Sequence, residues 1–260
     1  MKELKYIVIL SILISCKSQF PNDRGIAYYK DPTLSTTSGR IIDSSKFFLP
    51  ADLMIDARYY PAQIDTFRLK WFSSNYLCFK EPILYNYYLG YENYRFLWIR
   101  SFNNPVLITV KHTNKILINT KILADQPSFM TEIYIPEKGP VKYRKAAIAS
   151  LTCDLKSLKD EFPNADSIIV PKFDTKIILD TTCSLSEKQW ARFRELLDSC
   201  NFWKLEPTKP TLGLDGADWI LEGQSQNKYQ FVVRWSPHDS FEKCCEYLII
   251  LSAAKNEEIY

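Results

Sequence analysis

Histidine is scarce in this chain of 260 residues, which contains only His112 and His238. Zinc sites use Cys and His ligands at short, regular spacings, and no cysteine pair here stands at such a spacing with a histidine. The sequence also lacks the nucleophile elbow of hydrolases and the phosphate-binding loop of nucleotide-binding proteins. We therefore expect neither a metal site nor a cofactor.

A strong excess of charge of either sign is also missing. The chain has 33 Lys and Arg residues against 30 Asp and Glu residues, a formal net charge of +3. Proteins that bind nucleic acid usually carry a basic patch or stripe, because binding neutralises phosphates. The near balance therefore gives no electrostatic case for a nucleic-acid partner.

The apolar run near the N-terminus is too short to span a bilayer. Lys2 and Lys5 precede the apolar residues 6–14, and the motif Leu-Ile-Ser-Cys occupies residues 13–16. A charged start, a short apolar segment and a small residue before the cut site are typical of a secretory signal, not of a membrane helix. The motif resembles the lipobox of bacterial lipoproteins, in which the signal is removed and the cysteine carries a lipid.

This resemblance implies a signal peptide over residues 1–15 and a lipid on Cys16. The polar composition that follows predicts a flexible tether over residues 16–45, and the remaining residues 46–260 are expected to form one domain. The protein would be a membrane-anchored lipoprotein on the periplasmic or cell-surface side, with the membrane as a partner through its lipid. Lys17, rather than an acidic residue, follows the cysteine and favours the outer membrane.

Seven cysteines are present, and six remain if Cys16 is lipidated. An even number in an oxidising compartment permits disulfides. Six cysteines allow about fifteen pairings, and the sequence does not choose among them.

Alternation of apolar and polar residues predicts an antiparallel meander. Its strands are expected over residues 94–102, 106–111 and 115–123, joined by short turns, and another strand is expected over residues 176–182. Arg100 lies near the end of the first strand, where a buried guanidinium would need a carboxylate partner.

Apolar residues at three- and four-residue steps predict an amphipathic helix within residues 143–162, centred on residues 146–162. A second helix begins at Ser186, which forms a capping box with Gln189, and it ends near Cys200.

The last predicted helix begins at Asp239 or Ser240. Its apolar positions include Cys244, and Cys245 lies about a hundred degrees away around the helix. At most one of these two cysteines is therefore expected to face the core.

Residues 213–237 have the clearest hairpin pattern. A three-residue connection at residues 225–227 would place Leu221 opposite Phe231 and Asp218 opposite Arg234. The opposite charges of the latter pair would then help to set the strand register.

Residues suited to chemistry are expected near one end of this hairpin, with Arg100 close by. The candidate site residues are Arg100, Asp215, Asp218, Glu222, Arg234 and His238. Two carboxylates in different environments could serve a hydrolase as acid and base, and an arginine could hold an anionic substrate. Alternatively, the charged pairs are ordinary polar contacts inside a purely structural envelope lipoprotein.

A non-catalytic binding or interaction module is the leading functional prediction. Its partner would be an unknown protein or an envelope polymer. Residues 51–94 are rich in Tyr, Trp and Phe, and flat rings can stack on sugars or peptides, although core packing is the commoner use of such residues. The charged hairpin and the aromatic region thus predict different functions.

Several motifs resemble those of a group of uncharacterised exported bacterial proteins, many from the Bacteroidetes. They are Tyr-Arg-Phe-Leu-Trp-Ile-Arg-Ser-Phe at residues 94–102 with Asn-Pro at 104–105, Phe-Trp at 202–203, Gly-Leu-Asp-Gly-Ala-Asp-Trp-Ile-Leu-Glu at 213–222 and Arg-Trp-Ser-Pro at 234–237. Residues 124–173 depart from the pattern, and the group supplies no activity. The fold expected from these patterns is α+β, with a mainly antiparallel sheet (an N-terminal meander plus a C-terminal hairpin) packed with two or three helices.

Overall fold

A computed structural model describes residues 25–43, 45–58, 61–128, 130–136, 143–149, 155–169, 175–209, 213 and 215–259. The expected signal peptide and the lipidation site at Cys16 lie outside these residues. None of the described helices is both long enough and apolar enough to cross a membrane.

The fold is α+β, as the sequence predicts. In chain order the strands and α-helices are β1 (Ile55–Asp56), β2 (Gln63–Ile64), α1 (Thr66–Cys78), β3 (Glu92–Arg100), β4 (Val106–His112), β5 (Ile116–Leu123), β6 (Met130–Pro136), β7 (Tyr143–Ala149), α2 (Leu155–Glu161), β8 (Ser167–Ile169), β9 (Ile177–Ser184), α3 (Glu187–Ser199), β10 (Ala217–Ser225), β11 (Lys228–Trp235) and α4 (Ser240–Leu251). Short 3-10 helices lie at Ala51–Leu53 and Phe202–Lys204.

A six-stranded antiparallel sheet in the order β11-β10-β3-β4-β5-β9 forms the centre of the protein. It contains the predicted meander, the predicted hairpin and the strand expected over residues 176–182. A separate three-stranded sheet has the order β7-β6-β8, and β1 pairs only with β2 among the described strands.

Both faces of the large sheet are covered. Phe96 and Trp98 of β3 belong to the core under α3 and α4, whereas Leu97 and Ile99 belong to the core under α1. Because successive side chains of a strand point to opposite faces, a strand in the middle layer must be apolar on both. This explains why eight of the nine β3 residues are buried.

Side-chain caps define where the main helices begin. Ser186 Oγ accepts a hydrogen bond from the Gln189 backbone N–H at 3.3 Å, and Gln189 Oε1 accepts one from the Ser186 N–H at 2.9 Å, so the predicted capping box is confirmed. Asp239 caps α4 by accepting from the Phe241 N–H at 2.9 Å. Both helices lie where the sequence places them.

The helix predicted within residues 143–162 is wrong in its first half. Residues Tyr143–Ala149 form β7, and among the described residues of this stretch the helix covers Leu155–Glu161. β7 pairs along its length with β6, so that Ala146 lies opposite Ile133. Pairing with the preceding strand decided the conformation here, and the apolar spacing within one segment does not reveal such a pairing.

Helix α1 was missed by the sequence analysis. Its buried side chains include Ser73, Ser74 and Asn75 alongside Leu69 and Phe72. Polar residues on the buried side break the apolar stripe that usually marks an amphipathic helix.

The expected tether differs from the structure from Gly25 onward. Ile26 and Tyr229 exchange two backbone hydrogen bonds of 2.7 and 2.9 Å, which adds a bridge to the outer edge of β11. The Asn86 side chain bonds the backbone of Asp31 in both directions at 2.7 and 2.8 Å, and Leu34 is buried. Residues 25–43 therefore pack against the domain instead of leading to it as a flexible chain.

The predicted hairpin register is wrong by one residue. Ser225 pairs with Lys228, so the connection has two residues, and Trp219 lies opposite Arg234. A one-residue shift moves a side chain to the other face. Asp218 consequently lies on the α1 side of the sheet and Arg234 on the α4 side, where its guanidinium carbon is 5.9 Å from the centre of the Phe241 ring.

The expectation that at most one of Cys244 and Cys245 faces the core is also wrong, since both are fully buried. Helix α4 packs against the sheet and against α3, so more than one of its sides is covered. The cysteines that the structure describes are free thiols, namely Cys78, Cys183, Cys200, Cys244 and Cys245.

Candidate functional site

The six predicted site residues do not form one cluster. Asp215 is exposed at the turn before β10. The side chain of His238 is 86% exposed, and its Nδ1 lies 3.6 Å from Glu242 Oε1 on the first turn of α4. Neither residue contacts the other candidates in the described hydrogen bonds and ion pairs.

Arg100 and Arg234 are buried structural residues. Arg100 Nη2 is 2.7 Å from Glu257 Oε2 and donates to the Asn104 carbonyl at 2.7 Å, so this arginine has the carboxylate partner that its position requires. Arg234 instead donates to backbone carbonyls, including that of Val233 at 2.7 Å. Burial lowers the pKa of Arg234.

Glu222 lies in a closed polar network between the sheet and α1. Its carboxylate accepts from Arg95 Nε at 2.8 Å and from the Tyr229 hydroxyl at 2.7 Å, and all three residues are fully buried. Arg95 also lies over the Tyr76 ring, 4.2 Å from its centre. Burial and the nearby Glu222 charge raise the pKa of Tyr229 well above its ordinary value. A network without solvent contact is suited to holding the layers together, not to binding a ligand.

Asp218 is the predicted residue that lies in a cleft. The cleft has a volume of about 640 Å³ and opens where β3 and β11 end and β10 begins. Asp218 is 1% exposed, and its Oδ1 accepts a hydrogen bond from Arg68 Nη2, on the first turn of α1. Burial raises the pKa of Asp218, and the Arg68 guanidinium offsets this only in part.

The walls of the cleft come from separate parts of the chain. Asp65 caps α1 by accepting from the Arg68 backbone N–H at 3.0 Å, which fixes the first turn of the helix beside Asp218. The β1–β2 pair forms a second wall. Lys209 and Gly213 contribute a third, and Trp235 with Ser101 completes the cleft at the end of the sheet.

Close packing in this part of the cleft explains why residue 213, the first of the Gly-Leu-Asp-Gly motif, is a glycine. A Cβ atom at this position would lie 1.9 Å from Trp235 Nε1, so the backbone must pass directly against the indole ring. Ser236 belongs with Trp235 to the Arg-Trp-Ser-Pro motif. Its Oγ accepts a hydrogen bond from the Ala217 N–H at 3.0 Å and connects the end of β11 to the start of β10. The Gly-Leu-Asp-Gly and Arg-Trp-Ser-Pro motifs thus build one side of the cleft.

Exposed apolar side chains gather at the rim. Ile55 is 36% exposed, Ile64 is 48% exposed and Phe67 is 52% exposed, and all three line the cleft. Phe102, which follows the lining residue Ser101, is 73% exposed. Single exposed apolar residues are ordinary on a protein surface, whereas a group around a concavity is typical of a binding site.

The formal charges in the lining balance. Arg58, Arg68 and Lys209 are matched by Asp56, Asp65 and Asp218. Arg58 Nε donates to Asp56 Oδ1 at 2.7 Å, and this hydrogen bond, with the charges of Arg58 and Arg68, lowers the pKa of Asp56. The cleft therefore has no strong excess of either charge to attract an ionic ligand.

Most residues of this site are not predicted by the sequence. Asp56, Arg68 and Trp71 fall within residues 51–94, whose one distinctive feature in the sequence is their aromatic content. No pattern along the chain links Arg68 to Asp218, because the two are 150 residues apart. The aromatic density was the one available signal, and it indicated the region without the residues.

No group of three or more His, Cys, Asp and Glu side chains in the described part of the chain could hold a metal ion. No protein-family model matches the chain, and neither a curated protein nor a solved structure matches it. The resemblance to exported bacterial proteins stays a prediction.

Proposed function

We propose that the protein is a non-catalytic binding module, anchored in the bacterial envelope by a lipid on Cys16, that holds its ligand in the cleft above Asp218. The observation that carries the proposal is the combination, in one concavity, of an exposed apolar rim with an ion pair between buried Asp218 and half-buried Arg68. Apolar contacts supply affinity, and a few buried polar groups fix orientation.

The size of the cleft supports this function. Small-molecule and cofactor pockets usually have volumes of about 300–1,000 Å³, and the value here lies inside that range. Phe67 and Trp71 occupy positions four residues apart on α1, so their rings lie on the same side of the helix. A ligand could therefore meet a charged pair and aromatic side chains together.

A hydrolase is the second candidate, and one observation favours it. Burial raises the pKa of Asp218. The pKa of Asp56, in the same cleft, is lowered by the hydrogen bonds that Asp56 accepts from Arg58. Opposite shifts of this kind distinguish an acid from a base in many enzymes. Each carboxylate is already paired with an arginine, however, and this pairing suits binding better than proton transfer.

A site-specific photocrosslink tests the binding proposal. The photoreactive residue p-benzoylphenylalanine would replace Phe67 at the rim and, as a control, Ile250, which is 63% exposed on α4 and is not among the residues lining the cleft. In the native envelope we expect an adduct from position 67 that is absent from position 250 and is lost with Asp218→Asn. Equal adducts from both positions, or none, would contradict the proposal.

The lipid anchor is tested separately. Cys16→Ser removes the sulfur that would carry the lipid, so we expect the protein to leave the membrane fraction. A Cys183→Ser variant changes an exposed cysteine of the folded part and is the matched control. Retention of the Cys16→Ser protein in the membrane fraction would contradict the anchor.

A further inference from the structure

The Asp218–Arg68 pair has unused hydrogen-bonding capacity that faces the cleft. Arg68 is the only hydrogen-bond partner of the Asp218 side chain among the described residues, and the contact joins one oxygen to one nitrogen. A carboxylate has about four acceptor positions and a guanidinium has about five N–H donors. The Arg68 side chain is 24% exposed, so its remaining donors can reach a ligand.

A ligand that fits this pair must donate and accept at neighbouring atoms. Two adjacent hydroxyl groups meet this requirement, because each hydroxyl carries one donor and two acceptor positions. One hydroxyl would donate to the free oxygen of Asp218 while its neighbour accepts from Arg68. Bonds of this kind to charged groups are stronger than neutral ones.

The aromatic side chains of the cleft suit an apolar face on the same ligand. The ring centroids of Phe67 and Trp71 are 6.5 Å apart with an interplanar angle of 59°, and Trp235 also lines the cleft. The face of an aromatic ring carries partial negative charge, which attracts the weakly positive C–H groups of a sugar ring. A pyranose combines an apolar C–H face with a hydroxyl edge.

Charge and backbone geometry disfavour other ligands. The lining charges balance, so an anionic polymer would gain little electrostatic attraction. An extended peptide usually adds a strand to an open sheet edge, yet on β11 beside the cleft the Val233 N–H already bonds the Pro207 carbonyl at 2.7 Å. The β1 and β2 strands have only two residues each.

We infer that the cleft binds a neutral glycan, with adjacent hydroxyls on Asp218 and Arg68 and a sugar ring against Phe67 and Trp71. This inference rests on the proposed binding function and specifies its ligand class. It needs no covalent step and no cofactor.

The test measures binding of the purified protein by calorimetry. The probes are neutral tetrasaccharides of glucose, mannose, galactose, xylose and N-acetylglucosamine, a tetrasaccharide of galacturonic acid and an uncharged tetrapeptide. We expect at least one neutral tetrasaccharide to bind and the two other probes to bind at least tenfold more weakly. Binding of none of the neutral sugars, or equal binding of the uronic acid probe, would overturn the inference.

Matched variants locate the site. Phe67→Ala changes an exposed side chain, so it should fold normally, and we expect it to weaken sugar binding about three- to tenfold. Asp218→Asn should weaken binding about tenfold or more. The controls are Ile250→Ala and Asp180→Asn, which are expected to bind like the wild type. Equal weakening by the controls, or none by Phe67→Ala and Asp218→Asn, would overturn the assignment to this cleft.

The two proposals fail in different ways. If the photocrosslink from position 67 captures a protein segment and no sugar binds, the cleft is a binding site for a peptide and only the glycan class is wrong. If position 67 gives no specific adduct, the binding function itself is wrong.

Discussion

Glu222 provides the sharpest test of how the layers of this protein are held together. Its carboxylate lies 2.7 Å from Arg95 Nη2 and accepts from the Tyr229 hydroxyl at 2.7 Å, with no exposed surface on any of the three residues. Glu222→Gln keeps the size of the side chain but removes its charge. The new amide can still accept from Arg95 through its oxygen and donate to the Tyr229 hydroxyl oxygen, so the substitution chiefly removes the charge opposite Arg95.

The expected cost follows from what remains around Arg95. Burial by itself would lower the pKa of Arg95, but the nearby charged and polar groups, with Glu222 the largest contributor, together outweigh burial and the pKa is raised. After the substitution, the nearest carboxylate is Glu81, whose Oε2 is 3.6 Å from Arg95 Nη1, and the Pro82 carbonyl still accepts at 2.7 Å. Removing one partner of a buried ion pair typically costs about 3–5 kcal/mol. We expect a loss of about 4 kcal/mol in the free energy of unfolding.

Urea unfolding, followed by tryptophan fluorescence, measures this loss. With a denaturant slope of about 3 kcal/mol/M, a 4 kcal/mol loss lowers the midpoint by about 1.3 M. The matched control is Glu195→Gln, which breaks the exposed pair with Arg192 and should cost less than about 0.5 kcal/mol. The double variant Arg95→Met/Glu222→Gln should recover part of the loss, because no unpaired charge remains buried. A loss for Glu222→Gln no larger than the control's would refute the reasoning.

Four further outcomes are expected. Arg234→Ala removes donors from three backbone carbonyls and should lower the free energy of unfolding by about 2–3 kcal/mol in the same urea assay; a loss below about 0.5 kcal/mol would contradict this role. Cys183 is exposed whereas Cys245 is fully buried, so mass spectrometry should find a thiol reagent on the former in the native protein and on the latter only after unfolding. Burial, with the nearby Glu222 charge, raises the pKa of Tyr229 well above 10.0, so the protonated Tyr229 hydroxyl stabilises the fold below pH 10.0 and this stabilisation is lost as pH rises through the raised pKa. The tyrosinate absorbance of Tyr229 should therefore appear together with unfolding. Titration of all tyrosines at a lower pH than unfolding would contradict this. Burial raises the pKa of Asp218 above 3.8, so the protonated Asp218 contributes stability at the lowest pH, and this contribution is lost as pH rises through the raised pKa. The free energy of unfolding of the wild type should therefore fall more than that of Asp218→Asn between about pH 3 and 6. Parallel plots of unfolding free energy against pH would contradict the shift.

The candidate site was only partly predictable. Asp218 is among the predicted residues and lies in the cleft, but the predicted register pairs it with Arg234, whereas in the structure it contacts Arg68. Glu222 and Arg100 proved to be buried ion-pair residues. Residue type was enough to indicate that these groups need partners, because a buried charge is costly without one. It was not enough to identify the partners, since those come from distant parts of the chain.

Local sequence patterns were enough to predict the strands of the meander and the N-cap of α3 at Ser186, because alternation and capping depend on neighbouring residues. Tertiary structure alone decided the hairpin register. A slip of one residue normally exposes apolar side chains, but β10 and β11 are buried on both faces, so either register keeps those side chains from water and alternation cannot choose between them. Tertiary structure also created the cleft. The cleft exists because α1 covers one face of the sheet and brings Arg68 to Asp218, a contact that only the packed layers create.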